Sequence, residues 1–386
     1  MKVIQINSYS HSLIVKDFER DMFRSWYAQV AYQIRKYYPK LEVECWTLEK
    51  RYKKEIEKRH NGIKFRIFPA NFSFRHGMEI SFSMLSALLN EQRILDKNEK
   101  IILHFHGYHM WQVYLMLQLM DKNKVKVIAQ NHGDRSPLKN LRKYKRFFIF
   151  LPGILLMQFL ENLLFKKVNT FYYLSDEERN YLKKIAPKCN FRFQTMGIEE
   201  KYYAQISKTE ARKKLGLDKN KKYILYVGRI ENPKGIKELI DAAKELDEIE
   251  VLIIGDGRAY EKYVNYTNKL KIKNVHFLGA IYGDAKLPYY SAADCLILPS
   301  YTEGAPVVIM EAIARNLPVV ATNVGGIPKM IKNGKEGILV KVKSKKEIVK
   351  AIKEILNWKE KNIRKYAKIY KWKSIIDKTI KDYLGK

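Results

Sequence analysis

The sequence predicts an α/β protein built from two doubly wound, Rossmann-like domains that face a central cleft. Three observations carry that prediction. Short β-branched runs alternate with helix-period segments almost from end to end, the pattern of parallel sheets covered on both faces. The alternation comes as two successive series, one in each half of the chain. The chain has 386 residues, of which 46% are apolar. At about 150 residues per domain, that is enough for two ordinary cores and too apolar for a disordered chain.

In the first half, strands are expected at residues 3–6, 101–105, 125–129 and 169–174, with helices at 17–37 and 175–184. In the second half, strands are expected at 223–227, 251–254, 275–278, 295–298 and 318–321. Helices are expected there at 235–246, 258–270, 306–315 and 345–356. Gly197 and a polar stretch at 194–207 mark the break between the series. The expected domains are residues 1–200 and 205–369. In folds of this class ligands lie beyond the carboxyl ends of the strands, so the cleft is the expected active site.

The formal net charge is +32. Such a field attracts polyanions, whether nucleic acid, anionic lipid or phosphorylated substrates. A general lysine bias of the thermophilic kind accounts for it equally well, because the lysines are spread along the chain. No nucleic-acid motif is present, and no specific nucleic-acid partner is expected. Cys45, Cys189 and Cys295 lie far apart without metal-ligand spacing, which suits a reducing compartment. The chain opens directly on a strand-like run with no leader pattern, so a cytoplasmic location is expected.

Residues 146–166 stand apart. Two apolar runs flank Pro152-Gly153, and Lys139, Arg142, Lys143, Lys145 and Arg146 precede them. The interruption argues against a spanning helix. Two short helices lying on an anionic membrane surface is one reading. A pair of core helices is the other.

The strongest chemical signal is Pro299-Ser300-Tyr301-Thr302-Glu303-Gly304-Ala305-Pro306, followed by Val307 and, further on, Glu311. A buried strand ends, a loop follows, and Pro306 suits a first helical turn. Backbone N–H groups around Gly304, Ala305 and Val307 then form an anion site fit for a diphosphate. Glu303 and Glu311 can each accept from a pair of vicinal hydroxyls, one pair on a sugar and one on a ribose. The second signal is Gly228-Arg229, then Lys234-Gly235, after another strand. Two cations there stabilise charge growing on a leaving diphosphate. This is not a Walker loop, and the chain has no Asp-x-Asp metal clamp. No metal and no cofactor are expected. Gly255-Asp256-Gly257 is a glycine turn of weak specificity. His106 and His132 follow strands and are candidates for the same cleft.

Taken together, these residues resemble glycosyltransferase family 4, the retaining enzymes of the GT-B fold. Glu303 and Glu311, Gly228-Arg229 with Lys234-Gly235, Gly255-Asp256-Gly257, and Gly325-Gly326 before Pro328 match that family's motifs in order and spacing. The resemblance is close over residues 222–340 and looser elsewhere. It implies a nucleoside-diphosphate-sugar donor and a lipid-linked or glycan acceptor. It implies that Glu311 holds the ribose and Glu303 the transferred sugar. Arg229 and Lys234 bind the diphosphate, and His132 contacts the donor sugar. It also implies a last helix, about residues 370–386, that crosses back to the N-terminal domain. Transfer retains anomeric configuration, with the leaving phosphate taking the acceptor's proton. Two departures stand out: the loop Asn7-Ser8-Tyr9-Ser10-His11-Ser12 lacks glycine, and Lys329 follows Pro328 where an acidic residue is usual. Two other readings stay open, a different GT-B enzyme such as a sugar-nucleotide 2-epimerase and a non-catalytic nucleic-acid- or membrane-binding protein.

Overall fold

The computed structural model describes residues 1–8, 17–73, 79–96, 99–132, 147–358 and 362–385. The chain divides into two compact units, Met1–Gln194 with Ile375–Lys386, and Thr195–Ser374.

The first unit holds β1 (Lys2–Asn7), β2 (Glu42–Glu49), β3 (Ile56–His60), β4 (Ile63–Pro69), β5 (Phe72–Ser73), β6 (Glu79–Ile80), β7 (Ile101–His106), β8 (Val125–Gln130), β9 (Thr170–Tyr173) and β10 (Asn190–Phe193). Eight of these form one sheet in the order β10-β9-β8-β7-β1-β2-β4-β3, and β5 and β6 form a separate ribbon. Pairing in the large sheet is parallel except at the β3–β4 edge. The central strands β1 and β7 are buried on both faces, so their apolar runs are nearly continuous.

The expected helix at 17–37 is two helices, Phe18–Arg24 and Trp26–Tyr37. They break at Ser25, whose hydroxyl donates to the Met22 carbonyl and takes up an acceptor the helix would otherwise use. The expected pair of helices at 146–166 is corrected as well. Phe147–Leu164 is one continuous helix with Pro152 inside it. Pro152 stands in the sixth position, so its missing N–H costs one intrahelical bond near the N-terminal end, and the helix runs on. Its Met157, Leu160 and Leu164 pack on the core, while Leu155, Leu156, Phe159 and Leu163 are exposed. The helix is thus apolar on two faces and is covered on one. Buried Glu161 accepts from Tyr114 at 2.7 Å and from Tyr181, and bonds His109 Nδ1 at 2.7 Å. The basic residues at 139–146 lie outside the described residues. Among the described residues no helix is long and apolar enough to cross a membrane.

The second unit holds β11 (Lys222–Val227), β12 (Ile249–Ile254), β13 (Val275–Phe277), β14 (Cys295–Leu298), β15 (Val319–Thr322) and β16 (Gly337–Val340). All pair in parallel, in the order β13-β12-β11-β14-β15-β16. Two of its helices, Lys208–Leu215 and Lys345–Leu356, start on sequence-legible caps. Ser207 and Ser344 accept from the N–H of Glu210 and Glu347, three residues on.

The last helix, Trp372–Leu384, belongs to the first unit from Ile375 onward. Within that unit Asp377 accepts from Tyr38, Asp382 pairs with Arg192 at 2.9 Å, and Tyr383 accepts from Gln5.

Candidate functional site

In the second unit the strand order reverses between β11 and β14, the place where an open parallel sheet leaves a crevice at its carboxyl edge. Most of the residues singled out between Gly228 and Gly326 follow strands at that edge, and Glu311 lies on the helix Val307–Ala314. Gly228 and Arg229 follow β11, Gly255 follows β12, Glu303 lies past β14, and Gly325 and Gly326 lie past β15.

Close backbone packing holds these turns together. A Cβ on Gly255 would stand 1.8 Å from the Gly228 carbonyl oxygen, and one on Gly325 would stand 1.8 Å from that of Glu303. Only glycine fits at either position. The Gly326 N–H donates to the Gly304 carbonyl at 2.7 Å, and Tyr301 N–H to that of Pro233 at 2.8 Å. The loop carrying Glu303 is therefore pinned from two sides. It leads into the helix Val307–Ala314. Pro306 is the residue before that helix and not a member of its first turn, because its ψ of 121° is extended. Proline has no side-chain acceptor, so the first N–H groups of this helix have no side-chain cap. They carry the positive end of the helix dipole.

Both glutamates stand in tight pairs with lysines. Lys234 Nζ donates to Glu303 Oε1 at 2.7 Å, with both side chains largely buried. Lys286 Nζ donates to both oxygens of buried Glu311, at 2.9 and 3.0 Å, and Tyr290 donates to Oε2 at 2.5 Å. Burial first, and the Glu311 charge second, push the Tyr290 hydroxyl well above its ordinary range. Tyr202 is raised by the same two causes, and its ring lies 5.4 Å from Lys286 Nζ. Arg229 is different: its side chain is 71% exposed and it pairs with Glu231 at 3.2 Å. Gly257 donates its N–H to the Asp256 carboxylate, and Asp256 accepts from Ile230 through its carbonyl, so this turn braces the Arg229 loop. Among the described residues no group of three or more potential metal ligands occurs.

Sequence reasoning missed Lys286, Tyr290 and Tyr202. Nothing in their spacing points to Glu311, which they reach from other elements. The only available signal was the buried position of Glu311 on an apolar helix, since a buried carboxylate requires a partner.

In the first unit, His106 ends β7 and His132 lies just past β8. The two rings lie nearly coplanar, centroids 5.1 Å apart, and are joined edge to edge by a 2.8 Å hydrogen bond. Burial lowers His132 to about 4. Burial, then the neighbouring His104 and His132, hold His106 well below its ordinary value. Both rings are neutral at physiological pH. The loop residues Tyr9 to Ser12 and Gly133 lie outside the described residues.

Residues 207–372 match the family model of glycosyl transferases, group 1. A teichuronic acid biosynthesis glycosyltransferase of Bacillus subtilis, itself described as putative, is 37% identical over 148 residues, 38% of this chain and 36% of that protein. The chain thus spans well under two thirds of that relative. Several solved structures align over the whole chain, two of them with a TM-score of 0.71. These two are sucrose-phosphate synthase of Thermosynechococcus elongatus (18% identity, 98% of that chain) and HepE of Anabaena in complex with UDP (16% identity, 100% of that chain). The fold class is GT-B, with two Rossmann-like parallel-sheet domains.

Proposed function

We propose that this protein is a retaining glycosyltransferase that takes its sugar from a nucleoside-diphosphate sugar. The observation that carries the reading is the pair of lysine–glutamate contacts beside an uncapped helix start, at the strand-order reversal of the second unit. A nucleotide sugar offers an anion next to hydroxyl donors. Its diphosphate competes with Glu303 for Lys234, and its sugar hydroxyls compete with Lys234 for Glu303. Each broken contact is replaced by another charge-assisted bond. Glu311 is neutralised by Lys286 and already accepts from Lys286 on both oxygens and from Tyr290, so two ribose hydroxyls reach it by displacing some of these donors. Arg229 is exposed and able to swing to the phosphates.

As the glycosidic bond breaks, charge grows on the leaving diphosphate. Lys234, Arg229 and the N–H groups at Gly304, Ala305 and Val307 are the groups that stabilise it. No divalent cation is needed for that step in this reading. The acceptor hydroxyl attacks from the face the diphosphate leaves, and its proton passes to a phosphate oxygen. His132 contacts the transferred sugar. The match to glycosyl transferases of group 1 and the fold shared with a UDP-bound protein support the donor class.

The acceptor we favour is a lipid-linked or glycan hydroxyl reached at an anionic membrane surface. The exposed stripe Leu155, Leu156, Phe159 and Leu163, on a chain of net charge +32, supports it.

The test is a thermal-shift screen against nucleoside diphosphates and their sugars. A ligand at 100 times its Kd stabilises by about 2.7 kcal/mol, so the true donor raises Tm by several degrees. If none of them shifts Tm, and calorimetry detects no binding, the reading is wrong.

A further inference from the structure

Under the first unit's sheet edge the polar side chains form one unbroken row. Gln5 Nε2 donates to the Tyr383 hydroxyl at 3.0 Å, and Gln5 Oε1 lies 2.7 Å from His106 Nε2. His106 Nδ1 lies 2.8 Å from His132 Nε2. At the other end, Tyr383 lies 2.7 Å from His104 Nδ1. The rings also stack in a column. His104 lies on His106 at 4.5 Å and His132 on Trp26 at 5.3 Å, while His106 and His132 lie side by side, their planes within 4° and their centroids 5.1 Å apart. The rings are held edge and face, so none of them can turn over alone.

A neutral imidazole carries one proton, so each ring donates at one nitrogen and accepts at the other. An amide oxygen only accepts. His106 Nε2 therefore carries the proton and His106 Nδ1 accepts. His132 Nε2 must then donate, and His132 Nδ1 is left with its lone pair. Turning the Gln5 amide over would reverse every donor in the row, so its orientation needs an anchor. The structure sets the Gln5 nitrogen on the Tyr383 hydroxyl and the Gln5 oxygen on His106. His104 Nε2 has no hydrogen-bond partner. His104 Nδ1 then accepts from the Tyr383 O–H, and the Tyr383 oxygen accepts from Gln5. The row is consistent in the direction that the Gln5 amide sets.

We infer that Gln5 and His106 are positioning residues that hold the proton of His132 on Nε2, so that Nδ1 of His132 is a hydrogen-bond acceptor for a substrate hydroxyl. The last clause rests on the proposed role of His132; the tautomer itself does not. Burial keeps all three rings neutral, which is what makes the tautomer a fixed property instead of a minor state. Tyr383 ties the row to the last helix, so the chain's end contributes to the setting of a residue more than 200 positions earlier.

The experiment uses the full chain carrying nitrogen-labelled histidine, read by two-bond proton–nitrogen correlation at neutral pH. His132→Asn assigns the signal. In the wild type, His132 and His106 should each show a protonated Nε2 and an unprotonated Nδ1. Gln5→Met removes the amide at similar volume. Both rings should then become tautomer mixtures, and kcat/KM should fall roughly three- to tenfold, the worth of one hydrogen bond. Gln5→Glu, which keeps the acceptor facing His106, should restore the tautomer and most of the turnover. A wild-type His132 protonated on Nδ1 overturns the inference. So does an unchanged tautomer in folded Gln5→Met. The wild-type spectrum is decisive even if Gln5→Met fails to fold. If the tautomers are as stated but His132→Ala transfers sugar at the wild-type rate, the row stands and the donor-contact role of His132 falls.

Discussion

At the scale of single residues, the candidate site consists of charges that already have partners. Glu311 is buried and bound by Lys286 and Tyr290, so removing it should act on both catalysis and the site's own balance. Glu311→Ala leaves Lys286 without its carboxylate, whereas Glu311→Gln keeps an acceptor for Lys286. We expect both to lower kcat/KM by about 100-fold or more, since each loses a charge-assisted contact worth about 2–4 kcal/mol. Only the alanine variant should also lose stability. Steady-state kinetics beside a urea melt separates the two effects, and near-wild-type turnover in a folded Glu311→Ala would remove Glu311 from the site. Lys234 and Arg229 bear on a second expectation, that transfer survives EDTA. Turnover that disappears with chelator and returns with magnesium would show that these cations do not neutralise the leaving group unaided. Glu303, Gly228-Arg229 and Gly255 were legible from the sequence because each follows a strand end, and Glu311 because it lies on the helix that follows; strand ends are marked by local pattern. Lys286, Tyr290 and Tyr202 were not legible. They meet Glu311 through tertiary packing, which no local spacing encodes.

At the scale of elements, the strands read best were those buried on both faces. β1, β7, β8, β11, β12 and β14 are short continuous apolar runs bounded by polar residues. β2 and β4 escaped notice because they carry charged residues within the strand, such as Glu44, Glu49 and Arg66. Their partners lie on β1 and in the turn between β2 and β3: Lys2 for Glu44, Arg51 for Glu49 and Glu55 for Arg66. β3, at the sheet edge, has the charged alternation of an exposed strand. The helix Phe147–Leu164 shows the same limit. Its composition is apolar all round, and only the fold distinguishes the face on Met157, Leu160 and Leu164 from the open face on Leu155, Leu156, Phe159 and Leu163. The open face is the one to alter. Phe159→Asp with Leu163→Asp should leave the fold intact, because both residues are exposed, and should abolish co-sedimentation with vesicles rich in phosphatidylglycerol. Wild-type binding should weaken with salt and keep an apolar remainder. If the double variant pellets as the wild type does, the stripe is not the docking face.

At the scale of the whole molecule, the net charge of +32 and the histidine column set the same demand on pH: both favour neutral over acid conditions. Acidification adds positive charge to a chain that already repels itself. It also acts on the column directly. An unfolded histidine titrates near 6.5, while burial lowers His132 to about 4, lowers His104 to about 3, and holds His106 well below its ordinary value. Between those limits the unfolded chain binds protons that the folded chain refuses. The column's contribution to stability is therefore complete above about pH 6.5 and is lost progressively as pH falls toward 4. Glu178 and Asp382 work the other way. Burial raises both carboxyls, so their folded forms take up protons first and gain stability as pH falls. There are three histidines against two carboxyls, and the histidines titrate at higher pH. The net expectation is a urea midpoint that drops steeply between pH 6.5 and 4.5. His132→Asn, which cannot be protonated there, should drop less steeply over the same interval while lying lower at neutral pH, where the 2.8 Å bond to His106 is altered. Parallel curves for the variant and the wild type would mean that His132 takes its proton in the folded state as readily as in the unfolded one. The column would then carry no acid sensitivity.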